Sequence, residues 1–307
     1  MRKAENFLKK RNNRKTDKKI FQLAKIHLKP GLYCFTDSKI KKISIHNINL
    51  HNMFNCFVKL RGGKNGSSVN RFQKYTEAEY AFGYGKDIFI FSDIAVGFYK
   101  THELFEKSKN NYQNYKQAFV YPVVKVLSFI DEDESVIMEK ACGVQYCDKK
   151  HDDYLIDKLF SYALASPVII KDNGECAYLQ HGDIKRENTV WTDENKFIFI
   201  DLDGMSYLPL FFDILHYCSM IGMNLDEIII VIESHGSIVG QVLSKFNISE
   251  ENNYLDFIFY YYAVFFMRLG DCFEDISFLL DADLSCFPMT YELLRRMSKT
   301  QIPQSFN

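Results

Sequence analysis

The most constraining feature of this chain is a short polar segment in which His181, Gly182 and Asp183 are followed five residues later by Asn188. A run of four apolar residues then ends at Asp201. Short apolar runs on either side of a polar segment predict two strands joined by a loop. Such a loop can direct a carboxylate, an amide and a second carboxylate at one point.

The side chains of this segment have the chemistry that phosphoryl transfer requires. One carboxylate must orient an acceptor hydroxyl and take its proton, while an amide oxygen and a second carboxylate hold Mg²⁺ against the triphosphate. Asp183, Asn188 and Asp201 supply these groups in that order. The simpler alternative is a pair of polar turns that hold no metal.

The segment resembles the protein-kinase-like superfamily, and within it the aminoglycoside phosphotransferase and choline kinase branch, which includes bacterial envelope sugar kinases. That branch carries an H-G-D-x-x-x-x-N loop and then an apolar strand ending in I-D, a pattern matched by His181 to Asn188 and by Ile200 with Asp201. The resemblance implies that Asp183 is the catalytic base. It also implies that Asn188 and Asp201 bind Mg²⁺ and that ATP is the phosphate donor.

Three further residues receive roles from the same resemblance. Lys185, two residues after Asp183, is assigned to the catalytic set as a contact for the transferred phosphate, although a solvated lysine is the alternative. Asp203 is expected to be an additional metal ligand, with a plain turn residue as the alternative. Asp213 is expected to brace the catalytic loop from the helix that follows.

Upstream, the pattern predicts a nucleotide-binding region. Residues 78–100 read as three strands separated by a glycine turn, at Gly83 and Gly85, and by a second tight turn. A kinase-like lobe needs a lysine on the third strand after such a turn, and Lys100 ends that strand. The alternative is Lys59, which would place the start of this region near residue 40.

Two further groups of cofactor-binding residues follow from the resemblance. Glu106, on a helix predicted over 101–118, is the expected partner of Lys100. Val136 to Gly143 resembles the hinge strand that leaves the sheet between the lobes, where the backbone from Glu139 to Ala141 would hydrogen-bond adenine. An ordinary strand end is the alternative for this segment.

The order of elements predicts an α+β protein with a two-lobed, protein-kinase-like fold, in which a small β-rich N-lobe precedes a larger helical C-lobe. Residues 1–66 are predicted to be a basic N-terminal extension that begins with a helix over 1–29. Residues 67–140 are the predicted nucleotide-binding N-lobe, and residues 141–307 the helical C-lobe with the catalytic loop. The expected C-lobe helices lie at residues 154–165, 208–222, 225–245, 252–269 and 289–299.

Charge is unevenly distributed along the chain. Residues 1–150 carry 28 Lys and Arg against 15 Asp and Glu, whereas residues 151–307 carry 10 against 24. The basic N-terminus favours peripheral contact with the inner membrane surface and a lipopolysaccharide-type sugar acceptor. In the branch that the loop resembles, acidic helical-lobe surfaces bind aminoglycosides or choline-like amines, so the resemblance implies such an acceptor for the acidic C-lobe. A solvated surface and compositional bias form the alternative. The basic segment lacks the aromatic interleaving of a nucleic-acid module, so no nucleic-acid partner is expected.

These features together predict an ATP- and Mg²⁺-dependent phosphotransferase that acts on a hydroxyl of a small molecule or sugar. The eight cysteines form no C-x-x-C pair and no run of apolar residues reaches membrane-spanning length, so a cytoplasmic location is expected. One alternative is a pseudokinase binding module, which the intact Asp183, Asn188 and Asp201 disfavour. The other is an atypical protein kinase, which the short segment after Asp203 disfavours.

Overall fold

The computed structural model describes residues 31–36, 39–42, 56–59, 77–82, 85–144, 148–193, 195–248, 253–269, 276–280 and 282–301. The predicted helix over 1–29 lies outside the described residues. The chain divides into two compact units. One unit consists of Met1–Glu106 with Lys125–Lys140, and the other of Lys107–Val124 with Ala141–Asn307.

The first unit contains an antiparallel sheet of eight strands in the order β3-β1-β2-β4-β5-β6-β8-β7. Alternation of apolar residues builds its centre, where the cross-strand partners Phe89 and Val96 are both buried. The apolar runs on either side of the four acidic residues 131–134 predict a hairpin, and the structure confirms it. The strands are β1 (Gly31–Thr36), β2 (Lys39–Lys42), β3 (Cys56–Lys59), β4 (Glu77–Phe82), β5 (Lys86–Ile90), β6 (Ile94–Tyr99), β7 (Val126–Ile130) and β8 (Ser135–Glu139).

The sheet continues upstream of the predicted N-lobe boundary between residues 66 and 67. Strand β2 pairs with β4, from Lys39 opposite Glu79 to Lys41 opposite Glu77. Because backbone hydrogen bonds join these strands, β1 to β3 belong to the same sheet as the predicted nucleotide-binding strands. They do not form a separate extension. The boundary itself lies within residues 60–76, outside the described part, whereas the predicted division after residue 140 coincides with a division between the units.

The second unit is mainly helical and carries five short strands. Strands β13, β10 and β9 form one antiparallel sheet, and β11 and β12 form a hairpin. The strands are β9 (Val168–Ile170), β10 (Cys176–Gln180), β11 (Thr189–Asp193), β12 (Lys196–Phe199) and β13 (Ser206–Pro209). The helices are α1 (His102–Tyr115), which enters this unit at Lys107, α2 (Lys149–Ala165), α3 (Phe212–Met220), α4 (Leu225–Ser234), α5 (Gly236–Ser244), α6 (Tyr254–Leu269), α7 (Ser277–Leu280) and α8 (Pro288–Gln301).

One hydrophobic core holds the second unit together. Leu159 of α2, Ile214 of α3 and Phe259 of α6 are fully buried within it, together with Tyr178 of β10. Each such side chain stabilises the fold by about 1.5–3 kcal/mol relative to exposure. The packing of these helices against β10 fixes the strand from which the polar segment begins.

The structure confirms the predicted α+β class and the order of a β-rich part before a helical part. It differs over residues 225–245, where the single predicted helix is two helices bent by 76°. Within the described residues, no single helix is long and apolar enough to cross a membrane, although this bent pair together meets the criteria of length and composition.

Candidate active site

The loop from His181 to Lys185 follows β10, and its first two peptides are held by a buried carboxylate. The backbone N–H groups of His181 and Gly182 each donate to the carboxylate of Asp213 at 2.8 Å. Asp213 lies in the first turn of α3 and is fully buried. Burial raises the pKa of its carboxyl group, although the two N–H donors favour the charged form. Asp213 therefore braces the loop as the sequence predicts.

Gly182 is required at its position by backbone geometry. Its φ is +87°, a left-handed value that side chains disfavour, and an added Cβ would lie 2.4 Å from the carbonyl oxygen of Gly204. The loop backbone consequently lies directly against the turn formed by Leu202–Gly204. This close approach brings Asp183 and the Asp201–Asp203 segment into one region of the second unit.

His181 is fully buried and neutral, and it links the loop to the residue that follows strand β12. Its Nε2 lies 3.0 Å from the carbonyl oxygen of Ile200, and the N–H of Asp183 points to its Nδ1 at 3.4 Å. Because a carbonyl only accepts and a backbone N–H only donates, the ring proton must sit on Nε2. Burial lowers the pKa of His181 despite the carboxylates around it, which keeps the ring in this neutral form.

Asp183 is the best-connected carboxylate of the segment. The ammonium of Lys185 lies 3.1 and 2.9 Å from its two oxygens, and the amide of Asn188 donates to Oδ2 at 2.8 Å. Nε2 of His216 lies 3.7 Å from Oδ1, beyond ordinary hydrogen-bond distance. Burial alone would raise the pKa of Asp183, but His216 and Lys185 outweigh it and hold the pKa well below its usual range. The side chain is therefore an ionised proton acceptor.

Asn188 is oriented with its amide nitrogen towards Asp183. Nδ2 donates to both the carbonyl oxygen and Oδ2 of Asp183, at 2.9 and 2.8 Å. Within the described part of the chain, no hydrogen bond engages the amide oxygen, which is therefore available to a ligand. The carbonyl oxygen of Asn188 accepts the N–H of Ile200 at 2.9 Å. This bond places Asn188 beside the strand end that carries Asp201.

Asp201 and Asp203 occupy the turn after β12. Asp201 has φ 65° and ψ 68°, a left-handed conformation that costs a non-glycine residue about 1–2 kcal/mol. Strained residues of this kind cluster at functional sites. The carboxylate of Asp203 accepts the hydroxyl of Ser108 at 2.8 Å. No group of three or more His, Cys, Asp or Glu side chains suited to a metal occurs among the described residues. The predicted donors Asn188, Asp201 and Asp203 comprise one amide and two carboxylates.

A second ion pair anchors the loop, and the sequence analysis missed it. Arg186 contacts both carboxylate oxygens of the buried Asp152, with Nε 3.0 Å from Oδ1 and Nη2 against Oδ2. The hydroxyl of Tyr217 donates to the same carboxylate at 2.6 Å. These bonds tie the short 3₁₀ turn Arg186–Asn188 to α2 and α3. The partners come from distant helices, so no local spacing in the sequence could have indicated them.

In the first unit, the described nucleotide residues of the prediction lie just before β5, just after β6 and on the helix that follows. Nζ of Lys100 lies 3.7 Å from Oδ1 of Asp87, and the N–H of Lys100 donates to the carbonyl oxygen of Gly85 at 2.9 Å. Glu106 is partly buried on α1. Gly83 lies outside the described residues. Lys86 is a further buried lysine of this region that the strand pattern did not single out. It is 5% exposed, and its Nζ lies 5.6 Å from the ring centre of Tyr99.

The predicted hinge follows β8. The N–H of Glu139 donates to the carbonyl oxygen of Lys125 at 2.9 Å, and the N–H of Lys140 donates to that of Asp93 at 3.0 Å. Both donors are therefore used within the first unit. Ala141 is the next residue along the chain, and its N–H has no hydrogen-bond partner within the described part. Of the two predicted adenine-binding residues, Ala141 is the one with a donor to offer.

The structure thus brings Asp183, Lys185 and Asn188 into direct contact. It places Asp201 and Asp203 on the adjoining turn, linked to the loop through backbone contacts. Their catalytic and metal-binding roles stay predictions. His216, which faces Asp183, is a further residue of this region that no sequence spacing indicated.

Comparisons with known proteins give structural similarity without sequence matches. No model of a known protein family and no curated protein sequence matches the chain. The chain is similar to choline kinases and aminoglycoside phosphotransferases of known structure. These are the families that the loop motif resembles.

Three structures represent these similarities. A choline/ethanolamine kinase family protein from Mesorhizobium loti is 11% identical with a TM-score of 0.36, over 74% of this chain and 89% of that one. The aminoglycoside phosphotransferase APH(2")-IIa, solved with streptomycin and ATP, is 14% identical with a TM-score of 0.44, over 74% and 94%. The choline kinase LicA from Streptococcus pneumoniae is 13% identical with a TM-score of 0.41, over 72% and 93%. At these values, the roles of the site residues must be judged from their own geometry.

Proposed function

We propose that this protein is an ATP- and Mg²⁺-dependent phosphotransferase that moves the γ-phosphoryl group to a hydroxyl of a small molecule or sugar. The observation that carries this proposal is the arrangement around Asp183. An ionised carboxylate is held by Lys185 and by the amide nitrogen of Asn188, while the amide oxygen of Asn188 has no hydrogen bond within the described residues. A proton acceptor therefore adjoins an amide oxygen that is able to bind a metal.

The residues fit the proposed metal. Mg²⁺ is usually bound by one or two carboxylates, with substrate phosphates and water completing its octahedral shell. Asn188, Asp201 and Asp203 supply one amide oxygen and two carboxylates, which matches that donor chemistry. When bound, Mg·ATP supplies the phosphoryl group and a cation that neutralises its developing charge.

Side chains of this protein have separate roles in the transfer to the acceptor hydroxyl. Asp183 orients the acceptor hydroxyl and takes its proton through a carboxylate oxygen. Lys185 leaves Asp183 and turns its ammonium to the transferred phosphoryl group, where a point charge stabilises oxygen anions. Asp213 and Arg186 hold the loop in place: the buried carboxylate of Asp213 accepts two N–H groups of the loop, and the guanidinium of Arg186 contacts the buried carboxylate of Asp152.

On the first unit, Lys100 is proposed to contact the α- and β-phosphates, with Lys59 as the rival. The side chain of Lys59 lies outside the described part of the structure. Ala141 is proposed as a hydrogen-bond donor to adenine. Peripheral membrane contact of the basic N-terminus and a cytoplasmic location also stay proposals.

The acceptor class is the broadest part of the proposal and rests on charge together with the family resemblance. An acidic group of side chains in the C-terminal part suits a cationic acceptor, such as an aminoglycoside or a choline-like amine. Asp283 is the described member of this group and is exposed. A lipopolysaccharide-type sugar is the other acceptor class. The remaining members, which lie outside the described residues, are Asp271, Glu274, Asp275 and Asp281.

Radiolabelled ATP with a panel of aminoglycosides, choline, sugars, lipopolysaccharide and generic proteins tests the function. We expect transfer to a small molecule or sugar, and a loss of about two to four orders of magnitude in kcat for Asp183→Asn, because a positioned base is removed while nucleotide contacts stay. Asp172→Asn, which changes an exposed turn carboxylate, is the matched control and should act like the wild type.

Each alternative has its own result in this assay. Mg·ATP binding without transfer to any compound would indicate a pseudokinase, and label on proteins alone would indicate a protein kinase. Phosphorylation by Asp183→Asn at the wild-type rate would refute the role of Asp183 as the base.

A further inference from the structure

One buried side chain beside the catalytic loop has no role in the mechanism above. His216 lies on α3, one helical turn after Asp213, and is 6% exposed. Both of its ring nitrogens are shielded from solvent and lack a hydrogen-bond partner within the described part of the chain. A buried polar group without a partner destabilises the folded protein. A group that the fold keeps at such a cost requires an explanation.

Aromatic stacking fixes the direction in which His216 points. Its ring is stacked on Phe212, with centroids 5.7 Å apart and planes 9° apart, and on Phe266 at 6.2 Å and 24°. Held in this way, Nε2 lies 3.7 Å from Oδ1 of Asp183. That distance exceeds a normal N–H···O bond by about 0.8 Å, so a small movement of the carboxylate would close it.

The reason for the gap is the ammonium of Lys185. It contacts both oxygens of Asp183, and with this partner the carboxylate needs no other donor on Oδ1. The proposed reaction removes that partner, because Lys185 turns to the transferred phosphoryl group. A partly buried carboxylate that loses its cation is destabilised unless another donor replaces it.

We propose that His216 is a positioning residue that holds Asp183 while Lys185 is engaged with the phosphate. Nε2–H donates to Oδ1, and Asn188 continues to donate to Oδ2, so the carboxylate keeps its orientation towards the acceptor hydroxyl. Because both ring nitrogens lie out of solvent, His216 acts through Asp183 and does not touch the substrate. This inference rests on the proposed function and extends it.

Two substitutions distinguish the effect of the Nε2–H donor of His216 from the effect of its stacked ring. His216→Phe keeps the stacking and removes the N–H group, whereas His216→Gln returns an N–H donor near the position of Nε2. We expect kcat of His216→Phe to fall by about 10- to 100-fold with KM for ATP unchanged, because the base is displaced but the nucleotide contacts stay. His216→Gln should recover most of this loss. Equal kcat values for the two variants, or a His216→Phe variant as active as the wild type, would overturn the proposal.

His235 provides the matched control for the loss of a stacked imidazole. Its ring is stacked on Phe160 with centroids 4.0 Å apart, and its Nε2 is 2.9 Å from Asp157. None of these residues contacts the catalytic loop in the proposed mechanism. His235→Phe should leave kcat close to the wild-type value, and an equal loss of kcat in both Phe variants would overturn the proposal.

A spectroscopic measurement tests the same inference without any substrate. Nitrogen-15 NMR of the histidine rings, compared between the wild type and Lys185→Ala, reports the Nε2–H group of His216. We expect its proton signal to move downfield in Lys185→Ala, because the bond to Asp183 shortens, and to return when Asp183→Ala is added. A signal that does not move overturns the role of His216, whether or not an acceptor is found. A signal that moves in a protein without phosphotransfer supports the contact and refutes the proposed function instead.

Discussion

Replacing Asp213 by asparagine tests whether the buried carboxylate beneath the loop positions the catalytic base. The carboxylate accepts the N–H groups of His181 and Gly182 at 2.8 Å each. Asparagine keeps the shape but offers a single acceptor oxygen, so its NH₂ group would face a backbone N–H group. Two donors would then meet in a site that solvent does not reach.

The expected cost follows from these contacts. One hydrogen bond to a charged group is lost, worth about 1.5–3 kcal/mol, and a buried donor is left without a partner at a further 1–3 kcal/mol or so. Burial already raises the pKa of Asp213, so the charge itself is disfavoured there and a neutral amide recovers part of the loss. We therefore expect the free energy of unfolding to fall by about 2–4 kcal/mol. Displacing the base by about 1 Å should lower kcat by roughly 100-fold.

Asp256 offers a control with similar local chemistry away from the loop. It is 2% exposed, and at the start of α8 its carboxylate accepts the N–H groups of Met289 and Thr290 at 2.9 Å each and the hydroxyl of Thr290 at 2.8 Å. Urea denaturation and steady-state kinetics on both variants give the comparison. Asp256→Asn should lose comparable stability and keep its kcat at temperatures where it is folded. If the two variants have the same kcat, the loop does not depend on Asp213 for its catalytic position.

Two further predictions concern a lysine and a histidine. In calorimetry, Lys100→Ala should weaken ATP binding by about 2 kcal/mol, because an ammonium that contacts the phosphates is removed, while Lys59→Ala should change ATP binding little. The reverse result would show that Lys59 contacts the phosphates. Burial lowers the pKa of His181 below its unfolded value of about 6.5, so the unfolded chain binds more protons below that pH and stability should fall as the pH is lowered. Urea unfolding at pH 7.5 and 5.5 should show this loss in the wild type and a smaller one in His181→Gln, and equal losses would contradict it.

The strands of the first unit could be predicted because alternation and turn residues are local signals. The predicted strand over 94–100 is β6, and the predicted hairpin across 131–134 is formed by β7 and β8. The prediction of a single helix over 225–245 was wrong in one respect, because the helix breaks at His235. That ring stacks on Phe160 and bonds to Asp157, and both partners lie on α2. Tertiary contacts of this kind leave no trace in a local hydrophobic pattern.

A similar limit applies to the start of α3. The sequence predicts a helix from residue 208, but β13 occupies Ser206–Pro209 and Phe211 has φ 58°, so the helix begins at Phe212. The strand exists because it pairs with β10. Pairing with a distant strand overrides the helical pattern of a short apolar stretch.

The catalytic loop could be predicted from the sequence for a different reason. Each position from 181 to 183 meets a separate physical requirement. Position 181 needs a neutral ring that donates to the carbonyl oxygen of Ile200 and accepts the backbone N–H of Asp183. Position 182 needs a residue without a Cβ, because its backbone lies against Gly204. Of the three positions 181, 182 and 183, only Asp183 is expected to act on the substrate. Because these requirements fall on consecutive residues, they leave a pattern in the sequence. His216 meets a requirement of the same site from another helix, so its role becomes visible only when the fold places its ring behind the carboxylate.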